Sequence, residues 1–321
     1  MTSMQNETLF RNPFLIEDLA VFDDATLRKM LDTGGFGLTL ENLALSLRYA
    51  PLPLVERIGN LLSSQRSYFI QELHRPAPQF EIEAARRLIL DQLFWELIYW
   101  KMPDLYDELT EGEQLHPGIF QQLEPDLRDK LVLDAGAGCG RASFECVHYG
   151  ARLVYALEPS PSLLHILEQK LARQVAAGIL DPGRVIPCSG RFDRLPLQDH
   201  SVDLALSCSA FTAAPEQGGE PGLAELKRVT RPGGKIVLIW PRIQDYCWLG
   251  THGFTYVALP LQQEMQVRFR SLKSALKCAH RFYAHNEAVV RYIRSRRSPE
   301  VPFSVLGINP PCDYCWLEVQ S

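Results

Sequence analysis

Three glycines at alternate positions, Gly136, Gly138 and Gly140, follow Asp134 at the end of an apolar run beginning at Leu131. Glycine tolerates positive φ and lets a ligand approach the main chain, whose N–H groups converge at the start of the helix that follows. Glu158 stands 24 residues after Asp134, at the end of a second apolar run, Leu153–Leu157. In a doubly wound sheet the ends of the first two strands lie side by side, at the crevice where ligands bind. A carboxylate there can accept both hydroxyls of a ribose. A lone glutamate would read as a solvated loop acid; strand, spacing and glycine loop together argue for a ligand contact. Its charge is then expected to serve binding, with little effect on stability.

Two ligand classes use such a turn. A dinucleotide site needs its third glycine three positions after the second, and that position is Arg141. The alternative, an acid followed by G-x-G-x-G, belongs to sites for S-adenosylmethionine, whose adenosyl group carries no phosphate. The segment Asp134–Gly140, then Ala156–Ser160, Gly190–Leu197 with Ser201–Leu204, and Leu226–Lys235 resemble, in order, the motifs of the class I S-adenosylmethionine-dependent methyltransferases. The resemblance implies that cofactor as ligand. It implies a site built from Asp134, Ala135, Gly136, Gly138, Gly140 and Glu158, with the Asp134 carboxylate helping to hold the cationic amino acid end. Asp193 and the backbone of Phe192 would lie at the adenine, and Ser207 to Ser209 near the methyl group. Arg191 departs from the family, whose members often place an acid there.

Methyl transfer from a sulfonium is a direct displacement, so proximity and exclusion of water carry most of the work. A general base is needed only when the acceptor must lose a proton, which is why the motifs name no acceptor and no catalytic residue. After the fourth strand, Ser207–Phe211 lacks the Asn/Asp-Pro-Pro-Tyr of amino-group methyltransferases. Asn309–Pro311 falls in the wrong topological place and reads as a turn. Tyr106 and His116 precede the first strand, in a region that folds over the cofactor as a lid in related enzymes. Packing and helix capping are the competing roles for both.

These residues require a frame. From Lys130 onward, short β-branched runs alternate with helical stretches, the pattern of a parallel sheet covered by helices. Strands are expected at Lys130–Leu133, Leu153–Leu157, Arg184–Cys188, Asp203–Ser207 and Lys235–Trp240, with Phe254–Leu259 and Cys315–Val319 as the last two. Helices are expected at Arg141–Tyr149, Ser162–Ala177, Pro221–Val229 and Leu261–Arg294. The fold class is therefore α/β, a Rossmann-like doubly wound sheet of about seven strands, preceded by a small all-α domain. Before residue 100 the apolar spacing is helical: Asp24 capping Ala25–Leu31, which Gly34 and Gly35 end; Thr39 capping a segment stopped by Pro51 and Pro53; and one longer helix from about Glu81 to Trp100. Residues 12–94, through Phe14–Leu19, Asn42–Arg48 and Val55–Arg57, resemble the C-terminal part of the flagellar motor switch protein FliG. That resemblance implies a protein-interaction module in a bacterial cytoplasm. The expected domains are 1–100, a connector and lid over 101–130, and 131–321. The stretch Lys101–Asp129 holds eight carboxylates against Lys101 and Arg128.

Composition narrows the function classes. The chain has 321 residues, 46% hydrophobic and 22% charged, with a formal net charge of −5. That balance excludes a disordered tail and a coiled-coil rod. There is no run of about 18 apolar residues, and Met1–Phe10 lacks the apolar core of a secretory signal. No membrane contact is expected, and the eight cysteines read as reduced thiols of a cytoplasmic protein. Cys312 and Cys315 form a lone C-x-x-C without the second pair that tetrahedral zinc needs, so no metal is expected. Between Gln262 and Ser298 nine Lys or Arg residues face two acids. The acidic total favours a solvated helix face there over a nucleic-acid footprint. Three functions remain: a methyltransferase that recruits a protein partner through residues 1–100, an RNA methyltransferase using the basic helix, and a cofactor-sensing scaffold.

Overall fold

The computed structural model describes residues 12–31 and 37–320. The chain divides into two compact units, Met1–Met102 and Pro103–Ser321.

The first unit is helical: α1 (Asp24–Leu31), α2 (Leu40–Ser46), α3 (Leu52–Leu61), α4 (Arg66–His74), α5 (Gln79–Gln92) and α6 (Phe94–Lys101), preceded by a 3-10 turn over Ile16–Val21. Thr39 caps α2 by accepting from the Asn42 N–H. The cap of α1 is Asp23, which accepts from the Thr26 N–H at 2.7 Å. Asp24, expected in that role, instead accepts from Arg57. Gly34 and Gly35 lie outside the described residues, as does the segment Met1–Phe10. The helix expected from Glu81 to Trp100 is broken at Leu93. Its apolar stripe explains the break. Ile82, Ala85 and Ile89 share one face, but Phe94 and Ile98, also buried, would fall on nearly the opposite side of a continuous helix. A turn at Leu93 lets both sets be buried. Arg57 and Arg86 tie the helices together by donating to the carbonyls of Phe22 and Ser46.

The second unit opens with two helices where a connector was expected, α7 (Pro103–Gly112) and α8 (Pro117–Leu127). The strands follow: β1 (Leu131–Ala135), β2 (Leu153–Glu158), β3 (Val185–Ser189), β4 (Val202–Cys208) and β5 (Thr230–Ile239). Between them run α9 (Arg141–His148), α10 (Pro161–Ala176) and α11 (Gly219–Val229), and after β5 comes α12 (Tyr246–Thr251). The chain continues through β6 (Thr255–Ala258), β7 (Gln266–Arg268), α13 (Leu272–Phe282), α14 (Glu287–Arg296), β8 (Glu300–Pro302), α15 (Phe303–Leu306) and β9 (Asp313–Glu318). The main sheet has seven strands in the order β3-β2-β1-β4-β5-β9-β6. Strands β1 to β5 are parallel, and β9 runs antiparallel to both its neighbours. This is the expected Rossmann-like arrangement.

Alternation along β1 sends Val132 and Asp134 to one face, with α8, α9 and α10, and Leu133 and Ala135 to the other, with α11. The sheet is thus buried on both sides, and strand order reverses about β1, which opens a crevice at the strand ends. The continuous helix expected over Leu261–Arg294 does not form. Its first residues pair as β7 with β8, and α13 and α14 start afresh behind side-chain caps from Ser271 and Asn286. Among the described residues no helix is long and apolar enough to cross a membrane.

Candidate functional site

The loop from Asp134 to Gly140 sits at the end of β1. Gly136 and Gly138 both have positive φ, +75° and +55°. At Gly136 a side chain is excluded, because a Cβ would fall 2.5 Å from the Ala210 methyl. At Gly138 a Cβ would meet nothing nearer than Cε1 of Tyr106, at 3.7 Å. The expectation that loop N–H groups face a ligand needs correction. Gly136 and Ala137 both donate to the Leu157 carbonyl, at 2.9 and 2.8 Å, and Gly140 donates to Ala137. Gly138 donates to Oε2 of Glu158 at 3.0 Å. The glycines therefore serve close approach, and their donors knit β1 to β2.

The polar group left over is an acceptor. Asp134 is fully buried; its Oδ2 takes a 2.6 Å bond from the Ser143 hydroxyl, while Oδ1 has no partner among the described residues. Burial pushes its carboxyl up to about 6 against the bond from Ser143. A buried acceptor without a donor is costly and is met well by a cation. That matches the cationic end of S-adenosylmethionine, so the residues present fit the group. Glu158, also buried, accepts from Gly138 and from the Ser160 N–H at 2.8 Å. It thus has a structural role beyond the ribose contact expected of it.

Of the remaining residues, Ala135 is buried within β1 as part of the core. Phe192 meets Phe211 edge-on, with ring centroids 5.4 Å apart, and its ring lies near Gly136. Asp193 is exposed in the turn between Arg191 and Arg194. Ser207 is buried and accepts from the Phe211 N–H at 3.2 Å. Ser209 has a left-handed backbone and accepts from Arg141 at 3.2 Å. Tyr106 lines a small space at the glycine loop together with Asp134, Gly136, Gly138 and Cys208. His116 does not reach that space. Its Nδ1 accepts from the Gly118 N–H and caps α8, while its own N–H donates to Pro311. The turn Asn309–Pro311 also accepts from the Trp240 indole through Asn309, at 3.1 Å. Cys312 and Cys315 are free thiols, and among the described residues no three metal-type side chains cluster.

Three features were missed in the sequence. Arg141, read only as the residue that spoils a dinucleotide motif, reaches from the start of α9 to the Glu113 carbonyl at 2.9 Å and to Cys208 and Ser209. It joins the end of α7 to the end of β4. Glu113 beside it is buried, which pushes its carboxyl up to about 7 despite that arginine and the Tyr283 hydroxyl. Lastly, Asp107 of α7, nearly fully buried, is ion-paired with Lys170 of α10 and with Arg270. The space under Tyr106 is roughly 20 Å³, about one water. A neighbouring cleft of roughly 740 Å³ shares Thr110, Cys139 and Arg141 with it.

The comparisons agree with this geometry. Residues 133–238 match a family model described as a methyltransferase domain. The chain is 34% identical over 111 residues to an uncharacterized methyltransferase of Mycobacterium tuberculosis, covering 35% of this chain and 40% of the relative. It is 33% identical over 112 residues to a tRNA U34 carboxymethyltransferase of Cellvibrio japonicus, covering 35% and 33%. The chain thus spans less than half the length of these relatives. Among solved structures it resembles a SAM dependent methyltransferase from Aquifex aeolicus, at 19% identity over 49% of this chain and 88% of that one, with a TM-score of 0.39. The fold, the glycine loop and the match over residues 133–238 agree with a methyltransferase domain that uses S-adenosylmethionine.

Proposed function

We propose that the protein transfers a methyl group from S-adenosylmethionine to an acceptor brought to the ends of β4 and β5. The observation that carries this reading is the unpartnered, buried Oδ1 of Asp134 beside a glycine loop that admits no side chain at Gly136. Asp134 would hold the ammonium end, Glu158 the ribose, and the segment around Phe192 and Asp193 the adenine. When bound, the cofactor supplies an electrophilic methyl on a positively charged sulfur. The chain's part is alignment and exclusion of water, worth about 7–11 kcal/mol when well arranged. Tyr106 and α7 supply the exclusion, with Arg141 fixing the end of α7 against β4.

The first unit is proposed as a docking module that recruits a protein. Its support is a set of exposed apolar side chains on this helical unit, Tyr49, Leu52 and Phe80 being the most exposed along with Leu15. An RNA acceptor is the second reading, supported by the relative whose printed activity is on tRNA U34.

Calorimetry with S-adenosylhomocysteine tests the cofactor site. Gly138→Asp leaves room for its Cβ and keeps the left-handed backbone at about 1 kcal/mol, so the variant folds. It places a carboxylate between Tyr106 and the loop and should abolish binding. Wild-type affinity in a folded Gly138→Asp protein would remove the loop from the site.

A further inference from the structure

The segment from β7 to β8 carries more positive charge than its own packing uses. Arg268 pairs with Glu300, and Arg270 with Asp107 and Glu111. Lys273, Lys277 and Arg281 recur every fourth residue along α13, and Arg291, Arg294, Arg296 and Arg297 crowd the end of α14. None of these seven has an ion-pair partner among the described residues, and all but the half-buried Arg281 are exposed. Like charges left unpaired on adjoining helices repel one another. Cations at the last turn of α14 gain from its dipole, but that accounts for none of the stripe on α13. From this surface we infer that α13 and α14 form the docking face for an RNA methyl acceptor, an inference that rests on the methyltransferase reading above.

The chemistry selects among polyanions. A lipid surface would need apolar side chains flanking the cations. Here Ala275, Cys278, Ala279 and Phe282 of α13, and Val289 and Ile293 of α14, are all turned into the core. Beside the cations stand the half-buried Tyr292, with the Arg296 guanidinium 6.0 Å from its ring centre, and Leu272, exposed at the start of α13, which is too little apolar surface for a lipid-facing band. An aromatic–guanidinium pair offers a stacking platform for an unpaired base, and unpaired bases are the ordinary state of RNA loops. The face also adjoins the site. Arg270, just before α13, is bonded to α7, and the Tyr283 hydroxyl after α13 donates to Glu113 at the end of α7. A strand held on α13 and α14 is therefore held against the helix that covers the glycine loop. The acidic total charge, which favoured a solvated face, does not decide the matter, because these two helices carry a single carboxylate, Glu287, in the first turn of α14, away from the arginines at its end.

The test uses the full chain with S-adenosylhomocysteine and a fluorescein-labelled, mixed-sequence RNA oligonucleotide, titrated at several salt concentrations. Each phosphate neutralised adds about 0.7 to the salt slope on a single strand, so four contacts would give a slope near −3. The variant Lys273→Gln/Lys277→Gln/Arg294→Gln should bind RNA at least about tenfold more weakly, with a shallower slope, and with unchanged affinity for S-adenosylhomocysteine. Tritiated methyl from S-adenosylmethionine should appear on cellular RNA with the wild type and fall with the variant. Equal RNA affinity in both proteins overturns the inference. So does preference for duplex DNA, polyglutamate or phosphatidylserine vesicles. Loss of S-adenosylhomocysteine binding in the wild type would instead bring down the methyltransferase reading, which the same titration separates.

Discussion

The N–H of Gly138 donates to Oε2 of Glu158 at 3.0 Å, across the ends of β1 and β2. The acid taken for a ribose ligand is therefore also the clasp of the glycine loop, since its other oxygen holds the Ser160 N–H at the head of α10. Glu158→Gln offers one oxygen where two donors wait, and turns an NH2 toward an N–H. Hydrogen bonds to charged groups contribute about 1.5–3 kcal/mol each. The variant should lose about 2 kcal/mol of stability without ligand, as well as affinity for S-adenosylhomocysteine. Thermal denaturation checks it: an unchanged melting temperature with weakened binding would return Glu158 to a purely ligand-facing role.

Asp134 links the site to pH. Its carboxyl is raised by burial from 3.8 to about 6, so the folded state binds its proton more tightly than the unfolded chain. The stability this confers is complete below pH 4 and is lost as pH rises through 6, in all about 3 kcal/mol at 1.4 kcal/mol per pKa unit. A cation at Oδ1 favours the carboxylate, so affinity for S-adenosylhomocysteine should rise as pH passes through 6 and level off above it. Asp134→Asn should bind weakly with no such rise. Glu113, raised to about 7, adds a parallel decline in stability, and the difference between wild type and Asp134→Asn isolates the site. Binding that is flat with pH in the wild type would mean that Oδ1 meets no cation.

Much of this was legible in the chain, and the reason is local. The strand, acid and alternating glycines of Leu131–Gly140 lie in one short segment, and Glu158 closes the next unit of the same pattern. Seven strands could be read because each is a compact apolar run. The break at Leu93 could not, because it depends on which neighbours α5 and α6 pack against and not on any breaker residue. The β7–β8 pair joins residues more than thirty positions apart through a ladder that leaves little mark on composition. The same holds for Arg141 with Glu113 and for Asp107 with Lys170. Each is a charge that is ordinary in sequence and becomes informative only when buried opposite its partner.

That last pair yields the prediction with most bearing on turnover. In this structure Tyr106 leaves a space of roughly 20 Å³ over the glycine loop, whereas ligand pockets run to about 300–1,000 Å³. Admitting a cofactor therefore requires α7 to lift, which would merge that space with the cleft beyond Thr110 and Cys139. Holding α7 down are Lys170 on Asp107 and Glu111, and Arg270 on the same two acids. Lys170→Met keeps the length of the side chain and removes its charge, while Arg270 still partners Asp107, so the fold survives. The balance should shift toward the lifted state by about 1–2 kcal/mol, roughly tenfold in population. A glutamate-specific protease reads this directly, since Glu108, Glu111 and Glu113 all lie in or just after α7. Without ligand the variant should be cut there about tenfold faster than the wild type, and saturating S-adenosylhomocysteine should slow cleavage in both by closing α7 over the bound molecule. Equal rates in wild type and variant would show that the ion pairs do not restrain α7. Rates indifferent to ligand in both would make Tyr106 an ordinary packing residue and leave the exclusion of water to some other element.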